Sequence, residues 1–129
     1  MEFHHIGVAT SDINKSIKIY KMLDFTPGEI IFDDVQQVNI CFVKKSGHPD
    51  IELIEPVNDT SPVSQILKKV GTGPYHLCYC TDDLSKELIK LKEKKFLVIT
   101  GPVAAIAFDR KRICFCYNKD LGLIELVEN

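Results

Sequence analysis

No hydrophobic run in this sequence is long enough to cross a bilayer, and neither sign of charge is in real excess. The longest apolar stretch, Val103 to Phe108, has six residues, against the ~20 that a spanning helix needs. The 16 basic and 18 acidic side chains leave a formal charge of −2, which is no footprint for DNA, RNA or an anionic membrane. The stretch from Met1 to Thr10 has neither a basic cluster nor a continuous apolar core, so it is not the pattern of a secretory signal. Cysteine occurs five times, an odd number. Without a signal pattern this predicts reduced thiols rather than a disulfide framework, and a soluble, cytoplasmic protein. No low-complexity segment is present, and 45% hydrophobic with 26% charged residues is the composition of a folded chain. A length of 129 residues is that of one domain with a sizeable core, and excludes a pair of ordinary domains or a long solenoid.

What the chain does have is a repeat. Phe3-His4-His5-Ile6-Gly7-Val8-Ala9-Thr10-Ser11-Asp12-Ile13 resembles Pro74-Tyr75-His76-Leu77-Cys78-Tyr79-Cys80-Thr81-Asp82-Asp83-Leu84, 71 residues further on. His5 falls over His76, Thr10 over Thr81 and Asp12 over Asp83. Ile13, Ile17 and Tyr20 then fall over Leu84, Leu88 and Leu91, each set spaced as one face of an amphipathic helix. Near the end of each half, Ile51-Glu52-Leu53-Ile54-Glu55 matches Ile124-Glu125-Leu126-Val127-Glu128 at an offset of 73.

Each half therefore reads as strand, helix and three strands. In the first, the expected elements are a strand Phe3–Ala9, a helix capped by Asp12 and running to about Leu23, and strands at Glu29–Phe32, Val38–Val43 and Ile51–Glu55. In the second they are Tyr75–Cys80, a helix Leu84–Lys94, then Leu97–Thr100, Arg112–Cys116 and Leu123–Val127. A short connector helix has Ser61 as its cap, Pro62 at its first position and Gly71 at its stop. The expected organisation is one domain, with modules over 1–58 and 74–129 and a connector over 59–73. Tyr20, Phe25, Phe42 and Phe96 are assigned to the core.

The repeat puts a histidine on the first strand and a glutamate on the last strand of each half: His5 with Glu52, and His76 with Glu125. Two imidazoles and two carboxylates suit a divalent ion such as Ni, Co, Zn, Mn or Fe, with positions left for water or substrate. Strand alternation puts His5 on one face with Gly7 and Ala9, and His76 on one face with Cys78 and Cys80. His4 points the other way. The Cys78-x-Cys80 and Cys114-x-Cys116 pairs lack the turn of a zinc knuckle and read as small buried hydrophobes. Arg110-Lys111-Arg112 reads as a solvated turn, and Gly71-Thr72-Gly73-Pro74 as a linker without the ending of a phosphate loop.

These residues, in this order, resemble the vicinal oxygen chelate superfamily, which includes glyoxalase I and methylmalonyl-CoA epimerase. The markers are His5-Ile6-Gly7-Val8, Ile51-Glu52-Leu53-Ile54-Glu55-Pro56, Asp59-Thr60-Ser61-Pro62-Val63, His76 ahead of Asp82-Asp83-Leu84, and Ile124-Glu125-Leu126-Val127-Glu128. The resemblance spans essentially the whole chain, and the connector is more similar to the epimerase branch. It implies an α+β fold of two tandem βαβββ modules forming a partly open mixed β-barrel around a metal, with His5, Glu52, His76 and Glu125 as ligands. It further implies a homodimer. The activity implied is that of an isomerase or lyase moving a proton next to a carbonyl, on a carbonyl compound or thioester, with Glu125 or Glu52 as base. Epimerase-like members carry a glutamate in the acidic segment before the third strand. Here that position falls at Val35, with the shorter Asp34 beside it. The Gly- and His-containing loop and Phe-Leu-His-Pro strand end of epimerases are also replaced, by Ala104–Phe108 and Phe115-Cys116-Tyr117-Asn118. The alternative is therefore a small-molecule binding module of the same fold. A dioxygenase ranks lower, since four protein ligands leave fewer open positions on the ion.

Overall fold

The computed structural model describes residues 1–129. It is α+β, with three helices and nine strands in mixed pairing. Contacts divide the chain into two units, His5–Tyr75 and Met1–His4 with His76–Asn129. Each carries one copy of the repeat.

The first copy comprises β1 (Glu2–Ala9), α1 (Ile13–Met22), β2 (Thr26–Pro27), β3 (Ile31–Asp33), β4 (Val38–Lys44) and β5 (Asp50–Pro56), followed by α2 (Pro62–Val70). β1 runs parallel to β5, β5 antiparallel to β4, and β2 and β3 both pair with β4. Ile13, Ile17, Tyr20 and Phe25 cover one face of this sheet, against Val8, Cys41, Val43, Ile51 and Leu53. The two-residue β2 carries no sequence signal, because Thr26-Pro27 is too short to show alternation.

The second copy comprises β6 (Gly73–Thr81), α3 (Leu84–Glu93), β7 (Leu97–Ala105), a 3-10 turn at Ile106–Phe108, β8 (Lys111–Asn118) and β9 (Gly122–Glu128). Its strand order is β6-β9-β8-β7. Leu84, Leu88, Leu91 and Phe96 pack on Cys114, Cys116, Ile124 and Leu126. The first four residues of the chain belong to this unit: the Phe3 ring stands edge-on to Tyr79 at 5.8 Å, and His4 to Phe108 at 5.6 Å.

Both copies start their first helix by the same device. Asp12 and Asp83 are extended and accept the backbone N–H of Lys15 and Lys86 at 3.0 and 2.9 Å, which satisfies donors that the first turn leaves over. A glutamate at the end of the last strand adds a second acceptor: Ile13 N–H donates to Glu55 at 2.8 Å, and Leu84 N–H to Glu128 at 3.3 Å. Both helices also end alike. Asp24 and Lys95 adopt left-handed backbone, and the N–H groups of Phe25 and Phe96 return to the carbonyls of Tyr20 and Leu91, each at 3.0 Å. This is the Schellman arrangement.

One departure from symmetry lies at the strand-end glutamates. Asn39 donates to Glu55 at 3.0 Å, whereas Arg112 grips Glu128 through two bonds of 2.7 and 2.6 Å. Arg112 is thus a paired strand residue rather than part of a solvated turn. Its hydrogen bonds hold the Glu128 carboxyl below the usual carboxylate range. A lowered folded value contributes stability above the ordinary range, lost as the pH falls through the lowered one.

β7 runs five residues beyond the expected Thr100, because the chain passes Gly101-Pro102 through a register shift instead of stopping there. The Gly101–Pro102 bond is cis, and Gly101 has φ +96°. A Cβ on Gly101 would lie 2.5 Å from the Ile113 carbonyl oxygen and 3.0 Å from Cys114 Cα, both fixed backbone. Gly101→Ala is therefore expected to destabilise the fold by about 2 kcal/mol or more, read as a lower urea midpoint. An unchanged midpoint would show that the strand can shift at no cost.

Candidate metal centre

The strand register sets which residues share a face. In the first unit, α1 covers the odd-numbered face of β4 and β5, so Phe42, Glu52 and Ile54 point away from it. Gly7 lies opposite Glu52 on β1, with His5 two residues earlier on the same face. In the second unit, α3 covers Cys114, Cys116, Ile124 and Leu126. Phe115 and Glu125 face the other way, with Cys78 opposite Glu125 and His76 two residues before it.

Each unit thereby builds one buried histidine–glutamate pair. His5 Nε2 lies 3.0 Å from Glu52 Oε2, in hydrogen-bond contact. His76 Nε2 lies 3.3 Å from Glu125 Oε2. His5, Glu52, His76 and Glu125 are 0%, 2%, 3% and 2% exposed. Ionisable groups this deep are rare without a compensating charge, since desolvation of a lone carboxylate costs several kcal/mol. Imidazole nitrogen and carboxylate oxygen held 3.0–3.3 Å apart are donors of the type a divalent first-row ion takes.

An aromatic ring supports each imidazole. His5 meets Phe42 edge-to-face at 5.2 Å and 90°, and His76 meets Phe115 at 5.3 Å and 82°. Phe42 is therefore not a core residue under α1, as expected from its hydrophobicity, but a wall of the site. The signal for both rings is in the sequence: Ile40-Cys41-Phe42 recurs as Ile113-Cys114-Phe115, at the same offset of 73 that relates Glu52 to Glu125. These rings limit how far each imidazole can rotate and exclude water from one side of it.

The cysteines do not form a metal site of their own. Cys78 and Cys80 pack on the face with Ile113 and Val127, whereas Cys114 and Cys116 lie under α3. The two pairs are thus on opposite faces of one sheet. None of the five cysteines is in a disulfide. Cys114 and Cys116 have their sulfurs 3.9 Å apart; the shared proton and burial push the Cys114 thiol well up, while the bond from Cys114 lowers Cys116.

The acidic segment before β4, Asp33 to Gln37, is a tight turn. Asp33 is 1% exposed, and its carboxylate accepts the N–H groups of Val35 and Gln36 at 2.9 Å each and the Gln36 side-chain amide at 3.0 Å. Its oxygens are committed to the turn. Val35 is 62% exposed and Asp34 lies on the solvent side. No carboxylate of this segment is both buried and unengaged.

Residues 4–115 match the Glyoxalase/Bleomycin resistance protein/Dioxygenase superfamily. The chain is 32% identical over 127 residues to the mitochondrial methylmalonyl-CoA epimerase of Bos taurus, covering 95% of this chain and 71% of that protein. It is 26% identical over 127 residues to an ethylmalonyl-CoA/methylmalonyl-CoA epimerase of Cereibacter sphaeroides, covering 95% and 94%. Among solved structures, methylmalonyl-CoA epimerase from Mycobacterium tuberculosis superimposes with a TM-score of 0.84 at 26% identity, covering 98% of this chain and 87% of that one.

Proposed function

Since this chain belongs to the glyoxalase/bleomycin resistance/dioxygenase superfamily, we propose that it is a metal-dependent isomerase of the epimerase type. Its reaction is removal and return of a proton on the carbon next to a thioester carbonyl. The observation that carries this reading is the buried His–Glu pair, present once in each module with its own aromatic wall. We assign His5, Glu52, His76 and Glu125 together to one divalent ion, of the Ni, Co, Zn, Mn or Fe group. The donor chemistry supports that assignment: two imidazoles and two carboxylates bring mixed nitrogen and oxygen ligation and enough negative charge to offset a divalent cation. The epimerase names of the relatives support the reaction class.

When bound, such an ion supplies positive charge against the negative charge that develops as the carbon–hydrogen bond ionises. The chain's own groups do the rest. His5 and His76 act as neutral donors, each oriented by its phenylalanine. Glu125 and Glu52 are the carboxylates assigned to proton transfer: one of them takes the proton as the carbon–hydrogen bond breaks, and solvent water supplies the proton returned on the opposite face, which completes inversion. The turn at Asp33–Gln37 supports this division of labour, because its one buried acid is already engaged. The same turn favours, as second reading, a binding module that holds a thioester without turning it over. No helix is long and apolar enough to cross a membrane, and unbridged cysteines are in keeping with a reducing cytoplasm.

Proton exchange in D₂O tests the reading. Metal-loaded protein incubated with methylmalonyl-CoA is expected to replace the methine proton by deuterium, followed as loss of its NMR signal. Absence of exchange across the five candidate metals, with the thioester bound, would establish the binding-module reading instead.

A further inference from the structure

The repeat places Cys41 over Cys114 and Val43 over Cys116, so the second module carries two thiols where the first carries one. Cys114 and Cys116 point to the α3 side of β8, both 0% exposed, and their sulfurs are 3.9 Å apart. Phe115 stands between them on the opposite face. Its ring is the one that braces His76 at 5.3 Å, and its backbone lies opposite Glu125 on β9. Toward β9 the ladder is continuous, with Cys114, Phe115 and Cys116 against Leu126, Glu125 and Ile124. Toward β7 it is broken: the register shifts on both sides of the Thr100–Phe115 pair. This stretch of β8 is therefore held regularly along one edge only, and irregular pairing of this kind lets a strand bend.

We propose that Cys114 and Cys116 are a peroxide-sensitive dithiol, and that closing the disulfide between them moves Phe115 and releases its hold on His76. Hydrogen peroxide is the oxidant. The Cys116 thiolate attacks one peroxide oxygen, the O–O bond breaks, and hydroxide leaves a sulfenic acid on Cys116. The Cys114 sulfur then attacks that sulfur; the S–S bond forms, the S–O bond breaks, and the departing hydroxide takes the Cys114 proton. Overall two thiols give up two hydrogens and peroxide becomes two waters. The hydrogen bond from Cys114, helped by Lys92, lowers Cys116 against the effect of burial, which makes Cys116 the attacking sulfur. β7 is the edge strand, and its local opening admits a molecule as small as peroxide. Leu84, Leu91, Ile124 and Leu126 surround the pair, and an uncharged disulfide needs no polar partner among them. Cα atoms two residues apart on a strand are separated by about 6.7 Å, whereas a disulfide prefers about 5.5–6 Å. Closure thus shortens β8 by roughly 1 Å at Phe115, where β7 does not hold the strand in register. The first module has no second thiol at Val43, so oxidation acts on one histidine–glutamate pair and leaves the other as it is. The effect on His76 needs no metal; its consequence for an ion rests on the assignment of His76 as a ligand.

Trypsin releases Ile113–Lys119 as one peptide, with Cys114 and Cys116 as its only thiols. After treatment of the full chain with hydrogen peroxide, mass spectrometry is expected to find this peptide short of two hydrogens, and a phosphine to restore them. In metal-free protein, the ring signals of His76 in NMR are expected to shift on oxidation and return on reduction, while those of His5 stay in place. Zinc affinity, measured by calorimetry, is expected to fall roughly tenfold or more on oxidation, as when a group that orients a metal ligand is lost. Cys116→Val copies Val43 of the first module, so it should fold, and its His76 signals should not respond to peroxide; Cys114→Ala is a second variant with the same expectation. A peptide still in the dithiol form once the half-buried Cys80 has been oxidised overturns the switch. So does a disulfide that leaves the His76 signals in place, or an equal shift in Cys116→Val, which would trace to Cys78 or Cys80. Shifted His76 signals with unchanged zinc affinity would leave the switch standing and refute His76 as a ligand.

Discussion

Glu125→Gln and His5→Ala are expected to bring the metal content of purified protein from about one ion per chain to near zero. The two changes fall in different copies of the repeat, so an equal loss from both is the signature of one ion served by both pairs. Glutamine keeps the volume of the Glu125 side chain and removes only its charge and one good oxygen donor. The fold should therefore persist, with circular dichroism unchanged. Proton exchange should fall by roughly 10²–10³-fold or more. His5→Ala is harsher, because it leaves Glu52 buried without its imidazole; breaking a buried pair in this way costs about 3–5 kcal/mol. Its loss of metal is therefore judged alongside Glu125→Gln, and the matched variants Glu52→Gln and His76→Ala complete the set. If Glu125→Gln emptied the site while Glu52→Gln kept a full ion, the ion would belong to the second module alone, and the four-ligand assignment would be wrong.

The two histidine–glutamate pairs were legible in the sequence because they depend on period-two alternation and on a repeat, both of which are written along the chain. His5 and His76 lie on the first strand of each copy and Glu52 and Glu125 on the last, and alternation together with the register puts each pair on one face. The capping residues Asp12 and Ser61 were legible for the same local reason: a helix start needs its acceptor within a few residues. What escaped depended on partners distant in sequence or on backbone shape. Phe42 has the hydrophobicity of a core residue, and only its register beside Glu52 turns it toward His5. Arg112 looks like part of a basic turn until Glu128, 16 residues away, is seen to accept both its bonds. Gly101-Pro102 carries the usual sign of a strand end, yet the strand resumes beyond it with a shifted register. The Asp33 turn is a case where sequence counted acids correctly and geometry decided their use: three donors within the turn take up the carboxylate.

Leu53→Ala and Leu126→Ala test whether the two copies are one folding unit. The two leucines are repeat equivalents, both 0% exposed, each at the centre of the cluster under its module's first helix. Truncating a buried leucine costs about 2–5 kcal/mol, depending on how far the cavity collapses. That should lower the thermal midpoint by roughly 10 °C or more in a chain of this size. A module of about 60 residues is marginal alone, because its surface is large for the core it can bury. We therefore expect each variant, without metal, to melt in a single transition that shifts as a whole, whichever copy carries the cavity. Tyrosine absorbance and far-ultraviolet circular dichroism should give coincident curves. Two resolved transitions, of which only the one from the altered module moves, would show that the copies fold independently. Proton chemistry that needs carboxylates from both modules would then depend on the bound ion to hold them together, and adding metal should merge the two transitions into one.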